Sequence, residues 1–428
     1  MKFPRCFPLA AGSLLGVKSA QAQDALRSAL SLQPVISPSQ TAPAVDLRPE
    51  RPHLGPVQLT LGAYTSLELN DNIGNSQFNP QSDLLIRGGL NLGVIWPATL
   101  QSELRFSSSI GYLHYVKNSF NDHLEVAPTS ALSWAIRFDD GAITLFDQFS
   151  YSQQVLSESA LSGIAIFPWF NNTIGTRVDW LPGHWAVQAG YSHNNSLSDS
   201  SQFQYLNAAS EYLFARGGWR FAENTQAGLE TSYSISRYQS ATQADNSNVS
   251  LGPYAEWQVT DSLRASLRGG PVFYFFDPTS SSSSGRQLNS YYFGLNVADQ
   301  LTDFLSQGLN IQRTVRQGLN KGSPFIEELT ASYSVVFSLT QRVSLSASFA
   351  YDHGKQPYEV PVYIPPFGTF LVESTENFDR YGATFNASWR ATEHLSASMA
   401  FNHWLRQSNI QGNGYTVNSL SFSLGYTF

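Results

Sequence analysis

Alternation of apolar and polar side chains, beginning at Val57 and continuing to Phe428, constrains this chain more than any other feature. Successive side chains of a strand point to opposite faces, so a period of two describes strands with one greasy and one polar face. Val57, Leu59, Leu61, Ala63, Leu67 and Leu69 share one face, against Gln58, Thr60, Tyr64, Glu68 and Asn70. The next segment sets Leu84, Ile86, Leu90, Leu92, Val94 and Trp96 against Asp83, Arg87 and Asn91. No run approaches the ~18 apolar residues of a spanning helix. Only 13% of the 428 residues are charged, against about 25% in an ordinary soluble domain. Disorder is excluded by 13% aromatic content, with 28 Phe and 20 Tyr. The net charge of −7 gives no reason to expect a nucleic-acid partner.

Such strands predict an all-β fold: a closed antiparallel transmembrane β-barrel of about eighteen strands, with sixteen as the alternative count. They fall near 57–70, 83–96, 100–117, 123–138, 142–153, 168–180, 185–195, 203–220, 226–239, 247–260, 263–277, 288–301, 304–316, 325–339, 343–353, 377–391, 395–407 and 416–428. Their connections alternate in length. Pro97-Ala98, Asp139-Asp140-Gly141, Pro182-Gly183-His184, Glu223-Asn224, Asp261-Ser262, Thr302-Asp303, Gln341-Arg342 and Thr392-Glu393-His394 are tight, whereas 71–82, 278–287, 317–324 and 354–376 are long. Short periplasmic turns and longer extracellular loops are the habit of outer-membrane barrels. Trp96, Trp180, Trp185, Trp219, Trp257 and Trp389 lie beside the short turns, as an interfacial girdle requires. An even number of strands places both ends of the barrel in the periplasm.

The first 22 residues have the layout of a secretory signal peptide: Lys2 and Arg5, an apolar stretch from Phe7 to Val17, and Ala20-Gln21-Ala22 before the cut. The only cysteine, Cys6, leaves with it, so disulfides and thiolate chemistry are excluded from the mature chain. Residues 23–55, punctuated by Pro34, Pro38, Pro43, Pro49 and Pro52, read as an N-terminal periplasmic extension, either unstructured or a docking segment. The barrel occupies 56–428. Its outer face meets outer-membrane lipid, and its last strand, ending at Phe428, resembles the signal read by the barrel-assembly machinery.

At eighteen strands the interior is too wide for side chains to fill. The polar face contributes Glu68, Arg87, Glu103, Arg105, Glu125, Arg137, Arg177, Glu211, Glu256, Arg264, Arg268, Glu328, Arg380, Arg390 and Arg406 to that lumen. These arginines either pair with lumen carboxylates and fix the wall, or select anionic and sugar-acid solutes. Arg264 and Arg268 share a face about 13 Å apart at ~3.3 Å per residue. Asp147, Gln307 and Arg313 disturb the greasy face, and the strand around Tyr205 to Leu213 is ambiguous; these places read as a bulge, a misplaced boundary or a subunit contact. The third long connection, Val155 to Phe170, is apolar at Leu161, Ile164, Ile166, Phe167 and Trp169. It either packs into the barrel mouth as a constriction, extends the strands, or meets another subunit. Loop 354–376, rich in proline and aromatics, reads as a lid or partner surface, and the serine run 279–285 as an exposed loop or a glycan contact.

The phrase LELNDNIGNS (Leu67 to Ser76) and the turn phrases VTDSLRAS, LTQRVSLS and ATEHLSAS resemble the β-barrel porin 2 family, some members of which accompany exopolysaccharide secretion. The resemblance covers 56–428 and implies an outer-membrane location and transport, with no catalytic residues. Eight histidines lie scattered without metal-ligand spacing, so no cofactor, metal or enzymatic activity is expected. The expected function is passive diffusion of small hydrophilic solutes through a polar, mixed-charge lumen. The alternatives are a barrel for exopolysaccharide export and a non-conducting surface or adhesion barrel. The sequence leaves the oligomeric state open.

Overall fold

The computed structural model describes residues 53–152, 158–222, 224–278, 286–320, 323–364 and 368–428. The expected signal peptide, nearly all of the proline-rich extension and the serine run therefore lie outside the described residues. The strands are His53–Leu54 (β1), Val57–Asn70 (β2), Asp83–Pro97 (β3), Ser102–Tyr115 (β4), His123–Val126 (β5), Ala131–Phe138 (β6) and Gly141–Ser152 (β7). Then come Trp169–Trp180 (β8), Trp185–Leu197 (β9), Ala208–Ala222 (β10), Thr225–Tyr238 (β11), Asn246–Gln258 (β12), Leu263–Phe276 (β13) and Arg286–Thr302 (β14). Leu305–Arg316 (β15), Ile326–Ser338 (β16), Val343–Ile364 (β17), Gly368–Arg390 (β18), Leu395–Ser408 (β19) and Tyr415–Thr427 (β20) complete the sheet.

Each strand pairs antiparallel with its neighbour in sequence, and β20 returns to β2 over Gly62↔Thr427 to Asn70↔Ser419. The sheet is closed. β1 is a two-residue addition to β2, and β5 and β6 share one position between β4 and β7, so the described residues form eighteen staves. Closure is what a lipid solvent demands, because an edge of unpaired N–H and C=O groups costs several kcal/mol per group in hydrocarbon.

The outer face is apolar all round, with Leu61, Leu90, Ile110, Leu145, Leu213, Leu229, Leu251, Phe349, Phe385 and Phe422 among its exposed side chains. Trp96, Trp134, Trp180, Trp185, Trp219, Trp257 and Trp389 form a lower outward belt near the tight turns. At the other end the belt is built from Tyr112, Tyr191, Tyr233, Tyr291 and Tyr381. A greasy band between two aromatic belts marks a membrane-spanning barrel of the outer-membrane type.

Three segments differ from the sequence reading. The stave expected at 123–138 breaks at 127–130, where Pro128 has no N–H for the ladder. The stave expected from 203 starts at Ala208, because Phe203 and Leu206 turn inward and are buried. The loop expected at 354–376 is a hairpin in which β17 and β18 stay paired to Ile364↔Gly368, beyond the end of β16. Pro357 and Pro361 are tolerated there because a hairpin standing clear of the sheet leaves its outer edges without a ladder partner.

The polar groups on the greasy face are paired, so the register holds through them. Asn172 donates to Asp147 at 2.5 Å. Gln307 lies between Asp299 (3.3 Å) and the Tyr333 hydroxyl (2.7 Å). Arg313 bonds Glu327 at 2.8 Å and covers the ring of Tyr291.

Candidate functional site

Of the connection between β7 and β8, Val155 to Ser157 lie outside the described residues, and the described part from Glu158 does not stay in water above the wall. Leu161, Phe167 and Trp169 are each 1% exposed, with Ile164 packed beside them and Ile166 half-buried. Phe167 stacks on Trp169 at 5.0 Å and meets Phe203 edge-on at 4.8 Å. The cluster also takes in Leu206, Leu319, Ile326 and Phe378, which belong to other connections and to β16 and β18. These apolar side chains leave water by folding over the mouth.

Two polar residues at the start of the described segment, Glu158 and Ser159, locate its landing place. Glu158 binds Arg316 of β15 at 3.0 Å, and Arg316 also binds Glu328 of β16 at 2.8 Å. Ser159 donates its hydroxyl to Glu328 and receives Arg316 at 3.1 Å, while its carbonyl receives Arg406 of β19 at 2.9 Å. Strands β9 to β14 separate β8 from β15 one way round; β6 back through β2 to β20 separates β7 from β19 the other way. The segment therefore crosses the lumen as a strap and is fastened to the opposite wall. Its Gly163 N–H binds the Asn75 carbonyl of the β2–β3 connection at 2.8 Å.

Other connections complete the closure. Tyr205, between β9 and β10, donates to the Leu319 carbonyl between β15 and β16 at 2.5 Å. Burial pushes the pKa of this Tyr205 hydroxyl up to about 12, so it stays protonated as a donor. Gln243, between β11 and β12, reaches the Gly318 and Ser323 carbonyls at 3.3 and 3.4 Å.

The far wall that receives the strap is built in layers. Phe378 and Trp404 lie flat over Gly354 and Gly382, positions where an added Cβ collides with the ring. Arg406 stacks on Phe378 at 4.1 Å and Arg380 on Trp404 at 4.4 Å. Their other edges bind carboxylates: Arg406 to Glu376 at 2.9 Å, Arg380 to Asp352 at 2.7 Å. A planar guanidinium held between ring and carboxylate has little freedom left. Tyr254 over Gly218, with Arg216 above its ring at 4.9 Å and Glu256 at 2.8 Å, repeats the arrangement where the lumen is wetter.

Glu211 apart, the expected lumen residues fall into three groups, and Glu68, which accepts from Asn70 at 3.2 Å, stands beside the first. Arg87 and Glu125 (2.9 Å), Arg105 and Glu103, Arg177 and Asp179 (2.7 Å), and Glu256 with Arg216 face inward as pairs. Glu328, Arg380 and Arg406 are sealed under the strap or beside it. Arg137, Arg264, Arg268 and Arg390 also lie at inward positions; Arg268 rests across Gly294, and among the described residues Arg137, Arg264 and Arg390 have no ion pair. Glu211 is a correction: it stands on the outer face, where His193 of β9 binds it at 2.8 Å. In β10 the inward series runs through Phe214 and Gly218 while Leu213 and Trp219 point out, which gives Glu211 outward parity.

Sequence reasoning passed over Arg216, Arg316, Glu158, Asp352 and Glu376. The periodicity of β10, β15, β17 and β18 marks four of these as inward. Glu158 lies in an irregular connection, where no period assigns a direction.

No protein-family model matches the chain, so the resemblance to β-barrel porin 2 is unsupported; no curated protein matches it either. Solved barrels of similar outline exist. OpdK of Pseudomonas aeruginosa, determined with vanillate, has a TM-score of 0.43 at 10% identity, covering 86% of this chain and 99% of its own. OccK2 (OpdF) of Pseudomonas aeruginosa, in complex with glucuronate, has a TM-score of 0.47 at 10% identity, covering 88% and 99%. OccAB3 of Acinetobacter baumannii has a TM-score of 0.46 at 9% identity, covering 88% and 100%. At this distance nothing about their solutes carries over to this chain.

Proposed function

We propose that the chain is a channel of the Gram-negative outer membrane, passing small hydrophilic solutes by diffusion, with no covalent chemistry. The observation that carries this reading is the contrast across one closed wall: greasy side chains outward and paired arginines and carboxylates inward, at eighteen staves. A barrel of that girth encloses more space than wall side chains fill, and porins of 16–18 strands hold water there. Placing the inward arginines in lipid would cost roughly 2–4 kcal/mol each near the midplane, whereas a hydrated lumen accepts them. The strap is the constriction, and Arg137, Arg264 and Arg390, which have no ion pair among the described residues, favour entry of anionic solutes from the tight-turn end. That end faces the periplasm.

Planar-bilayer recording of the purified chain tests this. Discrete steps of conductance are expected, and a folded barrel that never conducts overturns the reading. Such silence is the outcome of a second reading, a plugged surface barrel, which the apolar cluster across the mouth favours.

A further inference from the structure

Three histidines on the outer wall share one local design. On β4, Tyr112 and His114 both bind Asp122, at 3.3 and 2.6 Å. On β9, Tyr191 and His193 both bind Glu211 of β10, at 2.5 and 2.8 Å. On β17, Tyr351 and His353 both bind Asp379 of β18, at 2.7 and 3.0 Å. In each case a Tyr-x-His pair occupies two successive outward positions and a carboxylate from the next segment locks both. Nothing in the lumen uses these groups.

Their depth is set by the strands. Leu104 pairs with Trp96 in the lower aromatic belt, and His114 stands ten positions further along the same strand. Val343 pairs with Trp389, and His353 again stands ten positions on. Ten residues span ~33 Å along a strand, and a tilt of about 40° reduces this to ~25 Å of height, the thickness of the apolar band of such barrels. The β4 and β17 triads therefore lie where the hydrocarbon ends, at the headgroups of the leaflet opposite the tight turns, and His193, eight positions beyond Trp185, stands at ~20 Å, just below them.

The chemistry at that depth suits an anion. Each carboxylate takes the Nδ1–H of its histidine, which fixes the ring and turns the Nε2 edge outward. Among the described residues that edge has no hydrogen-bond partner in His114, His193 or His353. Each triad also has a cation just beyond it. Lys117, exposed three residues after His114, lies just past the end of β4 with its ammonium 3.4 Å from the Ser82 hydroxyl; Arg237 of β11 stands opposite Ala209, one outward position beyond Glu211; Lys355 is the next outward residue after His353. Glu327, opposite Lys355, is occupied by Arg313 at 2.8 Å. A phosphate between the histidine edge and the cation would gain charge-assisted hydrogen bonds from both.

We propose that these three outward triads, each with its neighbouring cation, are docking sites for phosphate-bearing headgroups of lipids in the outer leaflet. The inference rests on the membrane-spanning reading and not on conduction.

Native mass spectrometry of the purified full-length barrel tests it with three probes: a diphosphorylated acylated disaccharide lipid, the same lipid with its phosphates removed, and inorganic phosphate. The wild-type barrel is expected to retain the phosphorylated lipid and release the dephosphorylated one. The combined variant His114→Ala, His193→Ala, His353→Ala is expected to retain at least tenfold less. A second variant, Lys117→Ala, Arg237→Ala, Lys355→Ala, leaves every triad bond in place and is expected to show a several-fold loss. Folding of both is checked by the gel shift between unheated and heated samples. Equal retention by a folded variant overturns the proposal, as does equal retention of the dephosphorylated lipid. Displacement of the lipid by an equal concentration of inorganic phosphate overturns it too, by making the site one for a free ion. A barrel that retains the lipid yet never conducts upholds this inference and removes the channel reading alone.

Discussion

Arginine is used in two ways inside this barrel, and the contrast between the two ends of the lumen shows why. At the strap end Arg316, Arg380 and Arg406 are at most 1% exposed, and each is held by at least one carboxylate. Towards the tight turns Arg177 keeps a quarter of its side chain open beside Asp179, and Arg264 is exposed without an ion pair among the described residues. In the dry region a guanidinium is a fastening: its charge must be matched, and its removal strands the carboxylates it served. In the wet region the same group is screened, contributes little to stability and can act on solutes. The residue type is shared; hydration decides the role.

Excising the strap should give the largest effect. Replacing 159–166 with a short glycine-serine link is expected to raise single-channel conductance several-fold, and an unchanged step size would show that the narrowest point lies elsewhere. Arg316→Ala comes next. It leaves Glu158 and Glu328 buried without their shared cation, a loss of about 3–5 kcal/mol. Amide exchange at Leu161 and Phe167 should then accelerate by roughly two orders of magnitude or more, since ~1.4 kcal/mol is tenfold. Exchange at the wild-type rate would mean that the apolar cluster alone holds the strap.

Gly382→Ala should cost less, about 1–3 kcal/mol, because the new methyl group pushes into the Trp404 ring that supports Arg380. The midpoint of denaturant unfolding checks it, and a midpoint equal to wild type would show that the layered wall yields freely. The smallest stability change is expected for Arg264→Ala, within about 0.5 kcal/mol. Combined with Arg137→Ala and Arg390→Ala it should nevertheless shift the reversal potential in a salt gradient towards cations. An unmoved potential would place these three arginines among the structural ones and erase the contrast.

Much of the wall was legible because a strand in a membrane barrel obeys a local rule. Leu67, Leu90, Leu145 and Phe422 point to lipid and Arg87, Glu125, Arg177 and Glu256 to the lumen, as their parity requires. The rule was ambiguous around Tyr205 to Leu213 and Glu211 was placed in the lumen; the outward Leu213 and Trp219 give it the opposite side, on a strand that starts only at Ala208. It was silent at Glu158, which has no strand to give it a side. The partner of each inward arginine was also beyond it. Arg216 finds Glu256 two strands away, and Arg406 finds Glu376 on the next strand. These pairings follow from register across strands, and periodicity along one strand does not contain that register.

By itself, then, the amino-acid order determined that the chain must close on itself in lipid, where its tight turns fall and, along the regular strands, which face each side chain joins, because each of these depends on neighbours within a few residues. Only the tertiary structure decided that the segment around Ser159 reaches Arg316 and Arg406 on the opposite wall, and that three outward histidines each meet a carboxylate of the next segment. Both depend on curvature and register accumulated over the whole circumference, which no local stretch of sequence records.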